Sequence, residues 1–554
     1  MFDVGYLKAI IGTAVVALAS CSDSNRIPPA APISPIEKPM FPPRQLPTAA
    51  EIETQLSDLS FDAFIDRSFA YLLARSPEAP LSLGVYDQYV TDGPWLDDLS
   101  GDFIDASNAI HRVMLARLKA FPRASLTAEQ QTTYDVYEWY LDDLIRGHAF
   151  IDHDYQATQM LNAPHVNLIL FFRDVHPLNT RVDAEGYIAR LWQVERKLGQ
   201  VQARVRRAAE RGIVPPSSLL SRTIADIRAL VTTSPRNTAF YIGLRSRLPA
   251  EATTADERIA LLREAEGAVR QAVLPAYASL ADTLAGLEGA PTLPGVGSHP
   301  AGLDHYAHAL RHHTTTELSA TQIHQIGLEQ LQRIHAAMET RFVALNIPTT
   351  LTLRDKFARV ATIGGTIEAV RVIESYEQII AEAEQRVGAV FDLAPSSPVT
   401  VIGGNGGGFY VSPSFDGSRP GAFYAFSAAP QARFAMPTLA YHEAVPGHHF
   451  QIGISQDLQL PVARRLIRFT AYVEGWALYA ERLAEELGWY EDDVPGDLGR
   501  LQAEAFRAAR LVVDTGMHAF GWERQQAIDF MVEATGFDGP SARGQVDRYA
   551  AWPG

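Results

Sequence analysis

His442-Glu443-Ala444-Val445-Pro446-Gly447-His448-His449-Phe450-Gln451 sets a His-Glu pair at the end of an apolar helical run, with two adjacent imidazoles just past a Pro-Gly step. Neutral imidazole is a favoured zinc ligand, and a glutamate beside the first ligand can act as base toward water. The familiar zinc-peptidase signature, His-Glu-x-x-His, puts its histidines one helical turn apart. Here the fourth residue after His442 is Pro446, whose side chain cannot bind metal. On an unbroken helix, at about 100° per residue, His448 points well away from His442. It converges only if the helix is widened or broken between them. Pro-Gly is where such a break belongs, because proline removes a backbone donor and glycine accepts unusual dihedrals. His449 returns to the face of His442, but two turns along, a rise of roughly 10 Å. His448 is therefore the preferred second ligand and His449 the alternative; the one left over orients substrate or supports the ligands.

The third ligand is expected to be a carboxylate, since two His and one Glu form an established catalytic zinc set with one position left open. Glu474, in the helical stretch 462–487, is the choice. Glu481, seven residues on and on the same face, either ligates or holds a ligating His through its other ring nitrogen. A His-Glu pair on a helix also occurs as a plain buried hydrogen-bonded pair, but the Pro-Gly-His-His context and the acidic helix weigh against that. In the mechanism this implies, Glu443 is the general base. Arg510, Asp514 and His518 recur every four residues, with Arg507 one turn earlier. That face can give His518 to an oxyanion and Arg510 to a substrate carboxylate, with Asp514 orienting either; the plain alternative is an Arg-Asp helix pair. Tyr410, Arg419 and Tyr424 are secondary substrate-binding candidates. His148, His153, His312 and His313 lack any motif context and read as surface or core histidines.

The front of the chain reads as a targeting segment. Residues 9–20 are apolar but too short for a span, which needs about 20 residues. They end in Leu18-Ala19-Ser20-Cys21, which resembles a bacterial lipobox, and Cys21 is the only cysteine. With that thiol lipidated, neither a disulfide within the chain nor a thiolate catalyst is available. Residues 22–52 are proline-rich and read as an extended tether. The expected place is the bacterial envelope, lipid-anchored, with Ser22 suiting outer-membrane sorting and the body facing the periplasm. A net charge of −16 argues against nucleic-acid binding.

Residues 53–554 show no second linker and no repeat, so one large, mainly α domain is expected, with room for two lobes about a cleft. Thr127 with Gln130 makes a capping box ahead of residues 134–144. The run 184–211 carries Tyr187, Leu191, Val194, Leu198 and Val201 at helical spacing. Similar runs cover 216–231, 254–287, 320–344, 365–390, 462–487, 496–519 and 523–534. A small β element is expected at 399–402 and 421–426. The glycine-rich loop 403–408 precedes no helix, unlike a phosphate loop. It reads as a turn near the cleft, where a peptide can lie beside an exposed strand.

The motif, the block Glu474-Gly475-Trp476-Ala477-Leu478-Tyr479-Ala480-Glu481, the block 510–518 with Gly521-Trp522, and Asp416-Gly417-Ser418-Arg419-Pro420-Gly421 together resemble a bacterial family labelled domain of unknown function 885. The resemblance reaches back to about Phe61. That family is similar to gluzincin-type zinc metallopeptidases, which implies zinc on two His and a downstream Glu, and a peptide substrate. Family members continue beyond a Pro-Gly such as Pro553-Gly554 into a further helical segment, so a shortened C-terminal end is expected, and the loop 403–408 is richer in glycine than the family pattern. The function expected is zinc-dependent hydrolysis of peptide bonds in oligopeptides. The alternatives are a non-catalytic peptide-binding lipoprotein and a zinc amidase or esterase. A carboxylate-bridged oxidase needs Glu-x-x-His pairs, which fail at Pro446.

Overall fold

The computed structural model describes residues 38–160 and 163–554. The apolar leader, Cys21 and the first part of the proline-rich segment lie outside the described residues. From Lys38 the chain is already part of the body. Arg44 pairs with Asp92 at 2.8 Å, and Phe41 meets Trp95 edge-on at 6.2 Å. Helix Ala49–Gln55 starts inside the stretch read as tether, because Thr48 and Glu51 form a capping box on it.

The protein is mainly α, with two small sheets. The expected capping box is present, and Thr127 starts helix Ala128–Gly147. Helix Arg181–Glu210 buries Tyr187, Leu191, Val194, Leu198 and Val201 in one cluster with helices Ala255–Ala268 and Leu274–Ala285. A second core joins Ala320–Ala344 to the long helix Val494–Phe520, through Ile334, Met338, Phe342, Leu501, Ala505 and Val512. A Cβ at Gly327 would meet the Val512 side chain at 2.7 Å and the Ala508 carbonyl at 3.0 Å, so glycine permits this crossing.

Two expected helices are shorter or divided. The run 365–390 is α-helical only as Val372–Val387, after a 3-10 turn at Ala369–Arg371, because Thr366–Ile367 pairs with Gln431–Ala432 instead. The run 462–487 divides into Val462–Leu466 and Thr470–Glu486, with Ile467 extended at ψ 125° between them. Phe469, at this break, meets the Trp139 ring edge-on at 4.9 Å.

The three-stranded sheet has Gly421–Phe426 in the centre, parallel to Val399–Gly404 and antiparallel to Phe409–Val411. Loop 403–408 crosses tightly over the central strand. A Cβ at Gly407 would lie 2.0 Å from the Phe426 nitrogen, which accounts for the glycine there. Phe423 and Ala425 bury one face of the sheet against Tyr376, Met436, Ala440 and Tyr441. The sheet thus forms a floor for the helix that carries His442.

Candidate metal centre

Helix Met436–Glu443 ends at the motif's glutamate, and a second helix, His448–Asp457, begins five residues later. Between them Ala444 (φ −113°, ψ −95°) and Gly447 (φ −79°, ψ −130°) turn the chain back on itself, and the Val445–Pro446 peptide is cis. A Cβ at Gly447 would sit 1.9 Å from the His442 carbonyl oxygen. The return is possible only without a side chain. Trp476 Nε1 donates to the Pro446 carbonyl at 2.8 Å, tying this turn to helix Thr470–Glu486.

The turn brings His448 back to His442, with ring centroids 4.7 Å apart at 81°. Glu474 reaches across both: its carboxylate oxygens lie 3.5 Å from His442 Nε2 and 3.6 Å from His448 Nε2. One ligand atom from each of His442, His448 and Glu474 falls within 4.8 Å of the other two. Ligands at about 2.0–2.2 Å around a tetrahedral zinc stand roughly 3.3–3.6 Å apart, so the donor set fits that ion. His448 Nδ1 is buried without a hydrogen-bond partner among the described residues. Glu481 accepts from His442 Nδ1 at 2.8 Å and from the Thr438 hydroxyl. With its Nδ1 proton given to Glu481, His442 presents the Nε2 lone pair to the cluster. Arg507 bonds the same Glu481 oxygen at 3.0 Å and lies 2.8 Å from His442 Nδ1.

The electrostatics favour a cation. Burial and Arg507 oppose charge on His442, but Glu474, Glu481 and Glu443 outweigh them and raise it to about 9. The field that retains a proton there would equally retain a metal ion. Burial pushes His448 down to about 3, leaving a neutral imidazole. Burial works to raise the Glu474 carboxyl, yet His448 and His442 hold it well below the usual range. Glu443 is 5% exposed, and burial lifts it to about 7.

Several sequence candidates lie elsewhere. His449 turns to the sheet, where its Nδ1 lies 2.9 Å from the Tyr410 hydroxyl, and burial lowers it to about 4. Gly421 makes room for that pair, since a Cβ there would lie 2.6 Å from the Tyr410 hydroxyl. His449 thus stands outside the His442–His448–Glu474 cluster, and Tyr410 is its partner. Glu481 takes the place of an orienting carboxylate. His518 is not placed to serve an oxyanion: Val296 N–H donates to its Nδ1 at 3.1 Å and its Nε2 donates to the Tyr549 carbonyl at 3.0 Å, so both nitrogens are used inside the core. Asp514 accepts from Tyr306 at 2.8 Å and from the Gly554 N–H at 3.0 Å, not from an arginine one turn away. Arg510 stacks on Tyr549 at 4.5 Å. Arg419 donates to the carbonyls of Ser412 and Ser82 and fixes a loop. Tyr424 stacks on Phe409 with centroids 4.5 Å apart. Sequence reading missed Trp476 and Thr438, whose roles appear only through contacts. It placed Arg507 on a helix face without its partners.

A mainly helical protein with a His-His-Glu cluster closed by a helix break is the class these observations define. The chain belongs to the family described as bacterial protein of unknown function (DUF885), whose family model matches residues 77–554. It is similar to a crystal structure from Colwellia psychrerythraea of a protein provisionally classed as a lipoprotein. That match has 28% identity and a TM-score of 0.82, covering 91% of this chain and 89% of that one. A second structure, from Shewanella oneidensis, is of a provisionally classed lipoprotein of unknown function. It matches at 17% identity with a TM-score of 0.65, covering 89% of this chain and 90% of that one, and shows the fold alone. No curated protein matches the chain. No described helix is long and apolar enough to cross a membrane.

Proposed function

We propose that this chain is a zinc-dependent hydrolase of peptide bonds in oligopeptides, anchored by lipid on Cys21 in the bacterial envelope, on the periplasmic face of the outer membrane. The observation that carries the catalytic reading is the convergence of His442, His448 and Glu474 within 4.8 Å, with Glu443 adjacent to the first of them. These three residues would hold the zinc, which when bound supplies a Lewis acid toward a carbonyl oxygen and a water molecule. Glu443 takes a proton from the attacking water and hands it to the leaving nitrogen. Glu481 and Thr438 hold His442 in the orientation that keeps Nε2 toward the cluster. Arg510, packed on Tyr549 and within electrostatic reach of Arg548, receives a substrate carboxylate. The anchor is supported by Leu18-Ala19-Ser20-Cys21 and by the lipoprotein class given to the Colwellia psychrerythraea relative.

Two measurements test the proposal. Purified protein is expected to hold about one zinc per chain and to cleave a mixed peptide pool, read by mass spectrometry, in a chelator-sensitive way. A metal-free preparation that still cleaves overturns the catalytic reading. Cys21→Ser is expected to move the protein from the membrane to the soluble fraction; retention in membranes overturns the anchor.

A further inference from the structure

A second group of imidazoles surrounds a cavity of about 260 Å³, whose walls include helices Gly101–Lys119, Ala128–Gly147 and Gly302–Thr314 and residues 551–553. His442, His448 and Glu474 are not among its walls. Seven of the 16 histidines line it, and their state sets its charge. Burial holds His111, His153, His308 and His313 below the ordinary imidazole range, so these four are neutral at pH 7.

The fixed charges then decide what the cavity accepts. Lys197 is paired with Glu78, both 1% exposed. Arg204 donates to the Ile151 carbonyl at 2.7 Å. Asp143 is taken up by Arg311 at 3.0 Å and by His312. Asp154 differs. Its side chain is 66% accessible and opens into the cavity, and its bond is to His305 Nε2 at 3.2 Å. The hydrogen bond from His305 and the nearby Arg204 hold this carboxyl below its ordinary value, so it is ionised.

The wall around Asp154 is also short of donors. His305 gives its Nε2 proton to Asp154, so Nδ1 is the one polar atom left on the ring. That atom is buried with no hydrogen-bond partner among the described residues. His153, whose ring lies 5.2 Å away, donates from Nε2 to the Pro300 carbonyl at 3.0 Å, and its Nδ1 is likewise buried and unpartnered. An open carboxylate beside a surplus acceptor on His153 and an unpartnered ring nitrogen on His305 complements a group that brings positive charge and several N–H donors, which describes an ammonium.

One wall of the cavity touches the helix that carries Glu474. His313 lines the cavity, and its Nδ1 lies 3.1 Å from the hydroxyl of Thr470. Thr470 opens the helix that presents Glu474 one turn later.

We infer that this chamber is a substrate subsite that binds a primary ammonium at Asp154, supplied either by the peptide's N-terminus or by a lysine side chain. The inference rests on the peptidase reading for its place in the reaction. A substrate then spans from Asp154 past His313 to the metal centre.

Matched peptides test it: free or acetylated at the N-terminus, and carrying lysine or ε-acetyl-lysine. Zinc-loaded wild-type protein is expected to prefer one free amine over its acetylated form by about tenfold or more in kcat/KM. Which pair shows the preference identifies the source of the ammonium. Asp154→Asn is expected to abolish the preference, the KM of the free-amine peptide rising to that of its acetylated form. Asp154→Glu, which keeps the charge, restores part of the preference. Indifference of wild type to acetylation, or an equal loss on charged and acetylated peptides in Asp154→Asn, overturns the inference. Calorimetric titration with lysinamide separates it from the peptidase reading. Binding that Asp154→Asn removes, in a protein that cuts no peptide, keeps the chamber and sinks the hydrolase. Cleavage indifferent to the amine does the reverse.

Discussion

Two parts of this molecule gather imidazoles, and they are built in opposite ways. The metal centre takes both its histidines from one ten-residue stretch folded back at Gly447, and surrounds them with the carboxylates of Glu443, Glu474 and Glu481. The chamber takes its histidines from three segments far apart in sequence, including His111, His153 and His305. There burial keeps four of the rings neutral, and their partners are mixed: a carbonyl for His153, a hydroxyl for His313, and carboxylates for His305 and His312. The same side chain is thus put to two uses. Among clustered carboxylates it would serve as a metal donor held in one tautomer; in the chamber it lines a largely uncharged polar wall on which the one open carboxylate, Asp154, sets the charge preference.

The contrast can be broken most sharply at Glu443. Glu443→Gln is expected to cost about 10²–10⁴-fold in peptide hydrolysis, with zinc content and lysinamide binding retained. Full activity in that variant would place the base elsewhere. A smaller effect is expected at the carboxylate behind the ligand. Glu481→Gln should weaken zinc binding about 10–100-fold in competition with a chelating dye, again sparing the chamber. Unchanged affinity would remove its orienting role. The smallest effect belongs to the histidine that turned away. Tyr410→Phe should cost about 1 kcal/mol, read from the denaturation midpoint, with zinc content unchanged. Loss of zinc in this variant would return His449 to the metal.

Much of the metal centre was legible because its information is local. His442, Pro446, Gly447 and His448 are neighbours, and the chemistry of proline and glycine forces a break in a known place. Glu474 was accessible by helical spacing within its own segment. The face of Arg510, Asp514 and His518 was read by the same periodicity, which did not show what Asp514 and His518 bond to. Regular spacing shows which residues share a face but not what packs on it, and here Tyr306 bonds one oxygen of Asp514 while Val296 and Tyr549 take both nitrogens of His518. The division of the 462–487 run was invisible for a related reason: the packing of Phe469 against Trp139 comes from a helix more than 300 residues earlier.

The sequence by itself determined a mainly helical body, the helix start at Thr127, the buried stripe of helix Arg181–Glu210, and the break that lets His448 meet His442. Each follows from interactions within a few residues, where backbone geometry and hydrophobic period leave little choice. Only the tertiary structure decided which of Glu474 and Glu481 faces both imidazoles, where His449 and His518 spend their nitrogens, and that histidines scattered along the chain enclose one chamber around Asp154. Those outcomes depend on which surfaces meet across long stretches of sequence, and local propensity carries no record of them.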